Sequence, residues 1–329
     1  MADNQRVLSG MRPTGRLHLG HHRVIESWID LANRYDAYFF TADWHALTTK
    51  FDETESLRIN KREVVIDWLS SGLDPERCHI FHQSDIKEHA ELHVLFSMIT
   101  PLSWLERVPT YKGQLAAFQE KGKDIATYGF LGYPLLMAVD ILMYRPIGVP
   151  VGEDQLPHVE FCRELVRRFH HLYDCNVFPE PSSIFSKIET LPGTDNRKMS
   201  KSYDNCIYLS STAAEVKDLV WKMVTDPARI RKTDPGHPEV CTVYTYHGFF
   251  NKEEQPELCA CCKSGTIGCG ECKKKLTEKI NVFLDPIRDR RANLESHPER
   301  LDEIIETGNQ SARTVAKETM ELVRDAIRV

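Results

Sequence analysis

The sequence predicts an α/β fold built on a parallel sheet, followed by a second, mainly helical domain. Three observations carry this. Over the first 192 residues short apolar runs alternate with helical patterns, as strand–helix–strand crossovers require. The runs are nearly continuous in apolar residues, as in DAYFFTAD (Asp36–Asp43), which suits strands covered on both faces. Beyond Pro192 strand signals are few and long charged helical patterns take over. The 329 residues exceed what one core usually supports. The turn-rich stretch LPGTDNRK (Leu191–Lys198) is the natural junction. It divides the chain into a first domain over 1–192 and a second over 193–329.

Taken in order, RVLSG (Arg6–Gly10) reads as the first strand. A helix from about Gly20 follows, with Val24, Trp28 and Leu31 at helical spacing. Asp36–Asp43 is the second strand. Glu55–Ser71 is helical and stops at Gly72. HIFHQS (His79–Ser84) is the third strand, with helices expected over Glu88–Met98 and Pro134–Tyr144. IGVPVG (Ile147–Gly152) is the fourth strand, and Glu153–His171 the helix after it. In the second domain helical patterns cover Ala213–Val224, Lys273–Asp289, Leu301–Glu306 and Ser311–Val329. The last of these is long enough to fold back onto the first domain.

Hydrophobic residues are 41% and charged residues 27% of the chain, ordinary for a globular protein. MADNQRVLSG has no apolar leader core. FLGYPLLMAVDILMY is short of a bilayer span and interrupted by Pro134 and Asp140. A cytoplasmic protein with no membrane partner is expected. A net charge of −6 argues against general DNA binding, which relies on many basic contacts to phosphate. RIRK (Arg229–Lys232), KKK (Lys273–Lys275) and RDRR (Arg288–Arg291) leave room for a local basic surface; each by itself reads as a solvated helix face.

Two short motifs carry chemistry. SGMRPTGRLHLGHH (Ser9–His22) leaves a strand, turns through Pro13 and Gly15, and places His18 and His21 at the start of a helix. A helix N-terminus favours phosphate through its free N–H groups and its dipole. Gly20 between the histidines keeps side-chain bulk away from a ligand. KMSKS (Lys198–Ser202) sets two lysines three apart in a turn-rich loop, a cationic clamp for a polyphosphate.

HLGH near the start of an α/β domain, KMSKS at its end and a helical domain beyond: nearly the whole chain resembles the class I aminoacyl-tRNA synthetases. DWHALTT (Asp43–Thr49), GYPLLMAVDILMY (Gly132–Tyr144) and VPVGEDQLPHVEFCREL (Val149–Leu165) are similar to the bacterial tryptophanyl branch; the tyrosyl branch is the main competitor. The resemblance implies a Rossmann-like catalytic domain, an anticodon-binding helical domain and a homodimer. It implies ATP with Mg²⁺, L-tryptophan and tRNA(Trp) as substrates and partners. His18 and His21 match the histidines that stabilise the triphosphate, and Lys198 and Lys201 the lysines that hold leaving pyrophosphate. Gly10, Arg12, Gly20, Met199 and Ser200 complete the implied ATP site. Tyr133 and Gln155 match groups holding the α-amino group. Met137 and Asp140 match the indole pocket, Asp140 accepting the indole N–H, and Gly152 lines the same crevice. Indole has one donor and no acceptor, and a pocket built on a buried polar contact rejects analogues that leave it unpaired. Two positions depart from the bacterial pattern: His21 stands where Asn is frequent, and Arg12 where Gln is frequent. A non-catalytic RNA-binding paralogue and a nucleotidyltransferase sharing only HxGH are the other readings. Intact HLGH and KMSKS speak against the first, and KMSKS with the helical domain against the second.

LCACCKSGTIGCGEC (Leu258–Cys272) holds five cysteines in fifteen positions. In a reducing compartment such a cluster points to metal rather than disulfides. Cys259-x2-Cys262 with Cys269-x2-Cys272 is structural-zinc spacing. A subset of the bacterial tryptophanyl enzymes carries a 4Fe–4S cluster on a C-x22-C-x6-C-x2-C pattern. Cys262, Cys269 and Cys272 match its last three ligands. Cys241 supplies the first with twenty intervening residues. The resemblance favours the 4Fe–4S cluster with Cys241, spacing alone favours Zn²⁺ with Cys259, and both stand.

Overall fold

The computed structural model describes residues 5–120, 122–152, 155–185 and 190–329. The first region runs β1 (Arg6–Met11), α1 (Leu19–Ala32), β2 (Asp36–Thr41), α2 (Asp43–Lys50), α3 (Thr54–Ser70), β3 (Cys78–His82), α4 (Glu88–Ser97), α5 (Leu102–Arg107), α6 (Pro109–Gln119), α7 (Tyr128–Leu131), α8 (Tyr133–Met143), β4 (Gly148–Val151), α9 (Leu156–Tyr173) and β5 (Ser182–Phe185). Beyond it come α10 (Ala213–Lys222), α11 (Thr242–Phe250), α12 (Gln255–Lys263), α13 (Cys269–Ser296) and α14 (Pro298–Ile327).

All strand pairs are parallel, in the order β3-β2-β1-β4-β5. The α/β class expected from the alternation is therefore present, with a helical C-terminal region. Period-two alternation along the strands splits the core. Val7, Phe39 and Ile80 face α1 and α3, where Trp28 stacks on Phe39 and meets Trp68 edge-on. Leu8, Phe40 and Phe81 face α8 and α9. The first cluster continues without a break into Leu276, Ile280, Leu284 and Ile287 of α13.

The long C-terminal helix lies against the sheet. Ala312, Val315, Ala316 and Met320 of α14 join the second cluster. Its Asn309 side chain accepts the His82 amide at 3.2 Å, and the Thr319 hydroxyl donates to the Met143 carbonyl at 2.8 Å. The sequence suggested a break between Glu306 and Ser311, yet α14 runs straight through. Gly308 is the reason: a Cβ there would collide with the Ile80 backbone. A residue that reads as a helix breaker is a docking point for β3.

Other elements also differ from expectation. The second strand stops at Thr41, because Asp43 opens α2 and its Oδ1 accepts the Trp44 and Ser84 amides. α13 extends beyond the expected Lys273–Asp289 at both ends, to Cys269 and Ser296. α5, α6, α7, α11, α12 and β5 are not among the elements expected from the sequence; α6 packs Tyr111, Leu115 and Phe118, only partly buried, against Phe130 and Tyr133. The expected start of the helix after β4, at Glu153, lies outside the described residues; within them that helix begins at Leu156.

Candidate active site

In an open parallel sheet ligands bind beyond the carboxyl ends of the strands, where the strand order reverses. Here the reversal is at β1, flanked by β2 on one side and β4 on the other. A cavity of about 460 Å³ opens at that point. Gly10 and Arg12 reach it from the end of β1, Gly152 and Gln155 from the end of β4, and Tyr133, Met137 and Asp140 from α8. These seven residues, expected from separate stretches of sequence, line one space. Gly10 is needed for its size, since a Cβ there would lie 2.5 Å from the Phe40 ring.

Asp140 is 2% exposed. Gln83 donates to both its oxygens at 2.8 Å, His89 Nδ1 lies 2.6 Å from Oδ1 and His45 Nε2 3.0 Å from Oδ2. Burial alone would raise its pKa, but the hydrogen bonds from His45 and His89 outweigh that and bring it down to about 2. It is a carboxylate at any working pH. Of its three partners only His45 also lines the cavity. Sequence reasoning did not single out His45, Gln83 or His89. His45 lies in the quoted DWHALTT, whereas nothing near Gln83 or His89 marks them. Tyr133 is hydrogen-bonded to Thr110, which also lies 3.1 Å from His158 Nε2. Arg12 is desolvated, which lowers its pKa. It donates to the Thr49 hydroxyl, and its Nε has no partner among the described residues.

The second half of the site lies along the loop after β1. His18 is the N-cap of α1, and its ring centroid stands 3.8 Å from that of His21. His21 Nδ1 accepts the His18 amide at 3.2 Å, which leaves the ring's remaining proton on Nε2. Burial, then the Lys201 cation, brings His18 down to about 4. Burial, then His18 and Lys201, brings His21 down to about 3. Both rings are neutral at pH 7. His18 Nδ1 is buried with no partner among the described residues. Gly15 has a φ of +123°, and a Cβ on it would sit 3.1 Å from the Lys201 ammonium. Gly20 leaves room for the His18 ring, 3.1 Å from where its Cβ would be.

KMSKS thus meets HLGH through Lys201. Burial lowers the Lys201 pKa to about 8. Met199 is 6% exposed and anchors the loop. The Ser200 amide donates to Asn205 Oδ1 at 2.8 Å. Lys198 is exposed, its carbonyl accepting Asn205 Nδ2 at 3.2 Å.

The cysteines gather far along the chain. Cys241, Cys262, Cys269 and Cys272 line one pocket of about 30 Å³, together with Arg229. Arg229 Nη1 lies 3.7 Å from Cys262 Sγ and 3.9 Å from Cys269 Sγ. Cys259 and Cys261 do not line it; Cys259 is hydrogen-bonded to Tyr244 instead. Among the described residues, no three side chains stand at the distances of a single bound ion.

Comparison with known proteins agrees with this geometry. The family profile described as "tRNA synthetases class I (W and Y)" matches residues 2–285. A tryptophan–tRNA ligase of Thermotoga maritima is 48% identical, over 98% of each chain. One from Aquifex aeolicus is 43% identical, over 98% of this chain and 99% of its own. The crystal structure of tryptophanyl-tRNA synthetase from Campylobacter jejuni with ADP and tryptophan superposes with a TM-score of 0.90 at 33% identity, over 99% of this chain and 100% of that one. On the profile, the identities and the shared architecture, the chain belongs to the class I tRNA synthetases of the tryptophan and tyrosine family.

Proposed function

We propose that the protein is a tryptophan–tRNA ligase: it joins L-tryptophan to ATP as tryptophanyl-adenylate, releasing pyrophosphate, and then transfers tryptophan to tRNA(Trp). The observation that carries this is Asp140, a buried carboxylate at the wall of an otherwise largely apolar cavity. A carboxylate accepts and cannot donate, which suits an indole N–H. An incoming N–H competes with His45 for it, since His45 shares the cavity. Met137 packs the ring, and Tyr133 and Gln155 hold the α-amino group. Gly10 and Gly152 let backbone approach.

Activation needs no general base, because the substrate carboxylate is itself the nucleophile. It attacks the α-phosphorus, and the bond to pyrophosphate breaks. Catalysis is then positioning plus charge stabilisation. His21 accepts a backbone amide at Nδ1, so its Nε2–H is left to donate to a phosphate oxygen. Lys201 supplies positive charge beside both histidines, and Lys198, free to swing from an anchored backbone, joins it on pyrophosphate. Met199 and Ser200 shape this loop, Gly20 gives clearance at the helix start, and Arg12 reaches from the cavity towards the phosphates. Mg²⁺ neutralises charge on the triphosphate. Transfer follows when the terminal adenosine, through its 2′-hydroxyl by resemblance to the class, attacks the acyl carbon and AMP leaves.

The region from 193 onward is the anticodon-binding domain in this reading, and a homodimer in the cytoplasm is the working form. Cys241, Cys262, Cys269 and Cys272 hold a 4Fe–4S cluster or, on the zinc reading, a structural Zn²⁺. One observation supports the set with Cys241 over that with Cys259: Cys241 lines one pocket with Cys262, Cys269 and Cys272, and Cys259 does not. Such a group would join the start of α11 to α12 and α13, next to Lys273–Lys275. Tryptophan-dependent ATP–pyrophosphate exchange, with tyrosine in parallel, tests the function. Exchange with tyrosine alone would keep the class and refute the pocket reading; exchange with neither would refute both.

A further inference from the structure

The segment that carries His18 is clamped from two sides. On one side Leu19 donates to the Ile207 carbonyl and Leu209 to the Leu17 carbonyl, each at 2.9 Å, just beyond KMSKS. On the other side the Leu17 amide donates to Asp67 Oδ2 at 2.7 Å. Asp67 belongs to α3 and is 0% exposed. Its other oxygen takes Arg291 Nη1 of α13 at 2.7 Å. Arg291 Nη2 continues to Glu63 at 2.6 Å, one turn earlier on α3, and its Nε faces Glu295 at 2.8 Å. Arg16 reaches the same Glu63 carboxylate at 3.8 Å. Neither Asp67 nor Arg291 lines the amino-acid cavity.

Burial drives the Asp67 carboxyl up to about 6, with the Leu17 amide and Arg291 holding it from going further. Losing the guanidinium therefore leaves a carboxyl that protonates, and a weaker acceptor for Leu17. The other end of α13 carries Cys269 and Cys272, and the helix spans 28 residues, about 42 Å at 1.5 Å per residue. One helix thus runs from the cysteine pocket to Arg291, and Arg291 reaches the residue before His18 only through Asp67 of α3.

We infer that Asp67 and Arg291 are a positioning pair: they tie helix α13 to the backbone entering the His18–His21 motif and so set how firmly that corner grips the triphosphate of ATP. The inference rests on that corner being the triphosphate site. The pair touches no substrate; it acts through Leu17 and His18, and through the Asp67 charge, which raises the Lys201 pKa against the effect of burial. It lies on the phosphate side alone, so ATP and tryptophan parameters separate.

The test is ATP–pyrophosphate exchange titrated separately in ATP and in tryptophan, for wild type, Arg291→Met, Asp67→Asn, the double variant and Arg291→Lys. Arg291→Met is expected to raise KM for ATP roughly tenfold and leave KM for tryptophan within about twofold. The double variant is expected to be no worse than Arg291→Met alone, because the two act as one unit. Arg291→Lys keeps the charge without the two-armed geometry and is expected to recover part of the loss; it also carries the test should Arg291→Met not fold. An unchanged ATP KM in folded variants, a parallel rise in both KM values, or additive effects in the double variant would overturn the pair's role. Absent exchange in wild type would instead overturn the reading of the corner itself.

Discussion

The two halves of the site are built in opposite ways. Around Asp140 three side chains donate to one carboxylate, and both its oxygens are satisfied before any ligand arrives. Around His18 and His21 one ring nitrogen, His18 Nδ1, stands buried with no partner among the described residues, and a lysine loses part of its basicity to desolvation. The first arrangement is pre-organised and electrically closed. The second is open and short of negative charge. A pocket that must choose one side chain benefits from a fixed, ionised acceptor: an indole N–H can take the place of the His45 contact on Asp140, whereas a ligand with no donor there gains no such bond. A corner that must stabilise a triphosphate benefits from donors that have nothing else to bind. Selection and charge stabilisation are thus separated in space and in chemistry.

Four changes probe that separation. The largest effect is expected from Lys201→Met, which removes the cation beside both histidines. The exchange rate should fall by about 10³, with tryptophan KM little changed. Next is Asp140→Asn, an amide that cannot serve four donor contacts. It should cost about 10² in kcat/KM for tryptophan while KM for ATP holds. Cys269→Ser comes third: tRNA charging should drop about tenfold and adenylate formation should stay near wild type, because the cysteine pocket lies apart from both halves. Equal loss of both steps would refute that assignment.

The smallest effect is one of pH on the protein without ligand. His18 and His21 have pKa values lowered to about 4 and about 3 in the fold, against 6.5 when unfolded. Between those values the unfolded chain binds the extra proton and the folded one resists it, so stability falls as pH drops from 6.5 towards 4. About 1 kcal/mol or more per histidine is expected at the lower end. Pyrophosphate should blunt the loss by favouring the charged rings, which thermal unfolding at graded pH measures. Unchanged stability across that range would contradict the buried, neutral state of the pair.

Much of this was legible in the sequence, for reasons that differ by element. Apolar runs announced β1 to β4, and only the edge strand β5 was missed. HLGH and KMSKS announced the phosphate corner because their residues are close in the chain. The two motifs meet in space through Lys201 and Gly15, and their order in the chain anticipated that. What escaped was long-range or featureless. Gln83 and His89 reach Asp140 across separations of 57 and 51 positions, and no local pattern marks either. The helical patterns stop at Glu306 and resume at Ser311; Gly308 lies between them, and the Ile80 backbone it packs on is far away in sequence. α6 escaped because its apolar face, Tyr111, Leu115 and Phe118, is short and only partly buried. For the cysteines, spacing alone favoured Cys259 and the resemblance Cys241; in the fold Cys241 lines the pocket with Cys262, Cys269 and Cys272, and Cys259 does not.

The separation of the two halves is tested most directly by calorimetric titration of tryptophan and of tyrosine, without ATP, into wild type, Lys201→Met and Asp140→Asn. Wild type and Lys201→Met should bind tryptophan alike and tyrosine far more weakly, while Asp140→Asn loses the preference. Equal weakening of tryptophan binding in both variants, or tyrosine bound by wild type as well as tryptophan, would contradict the account.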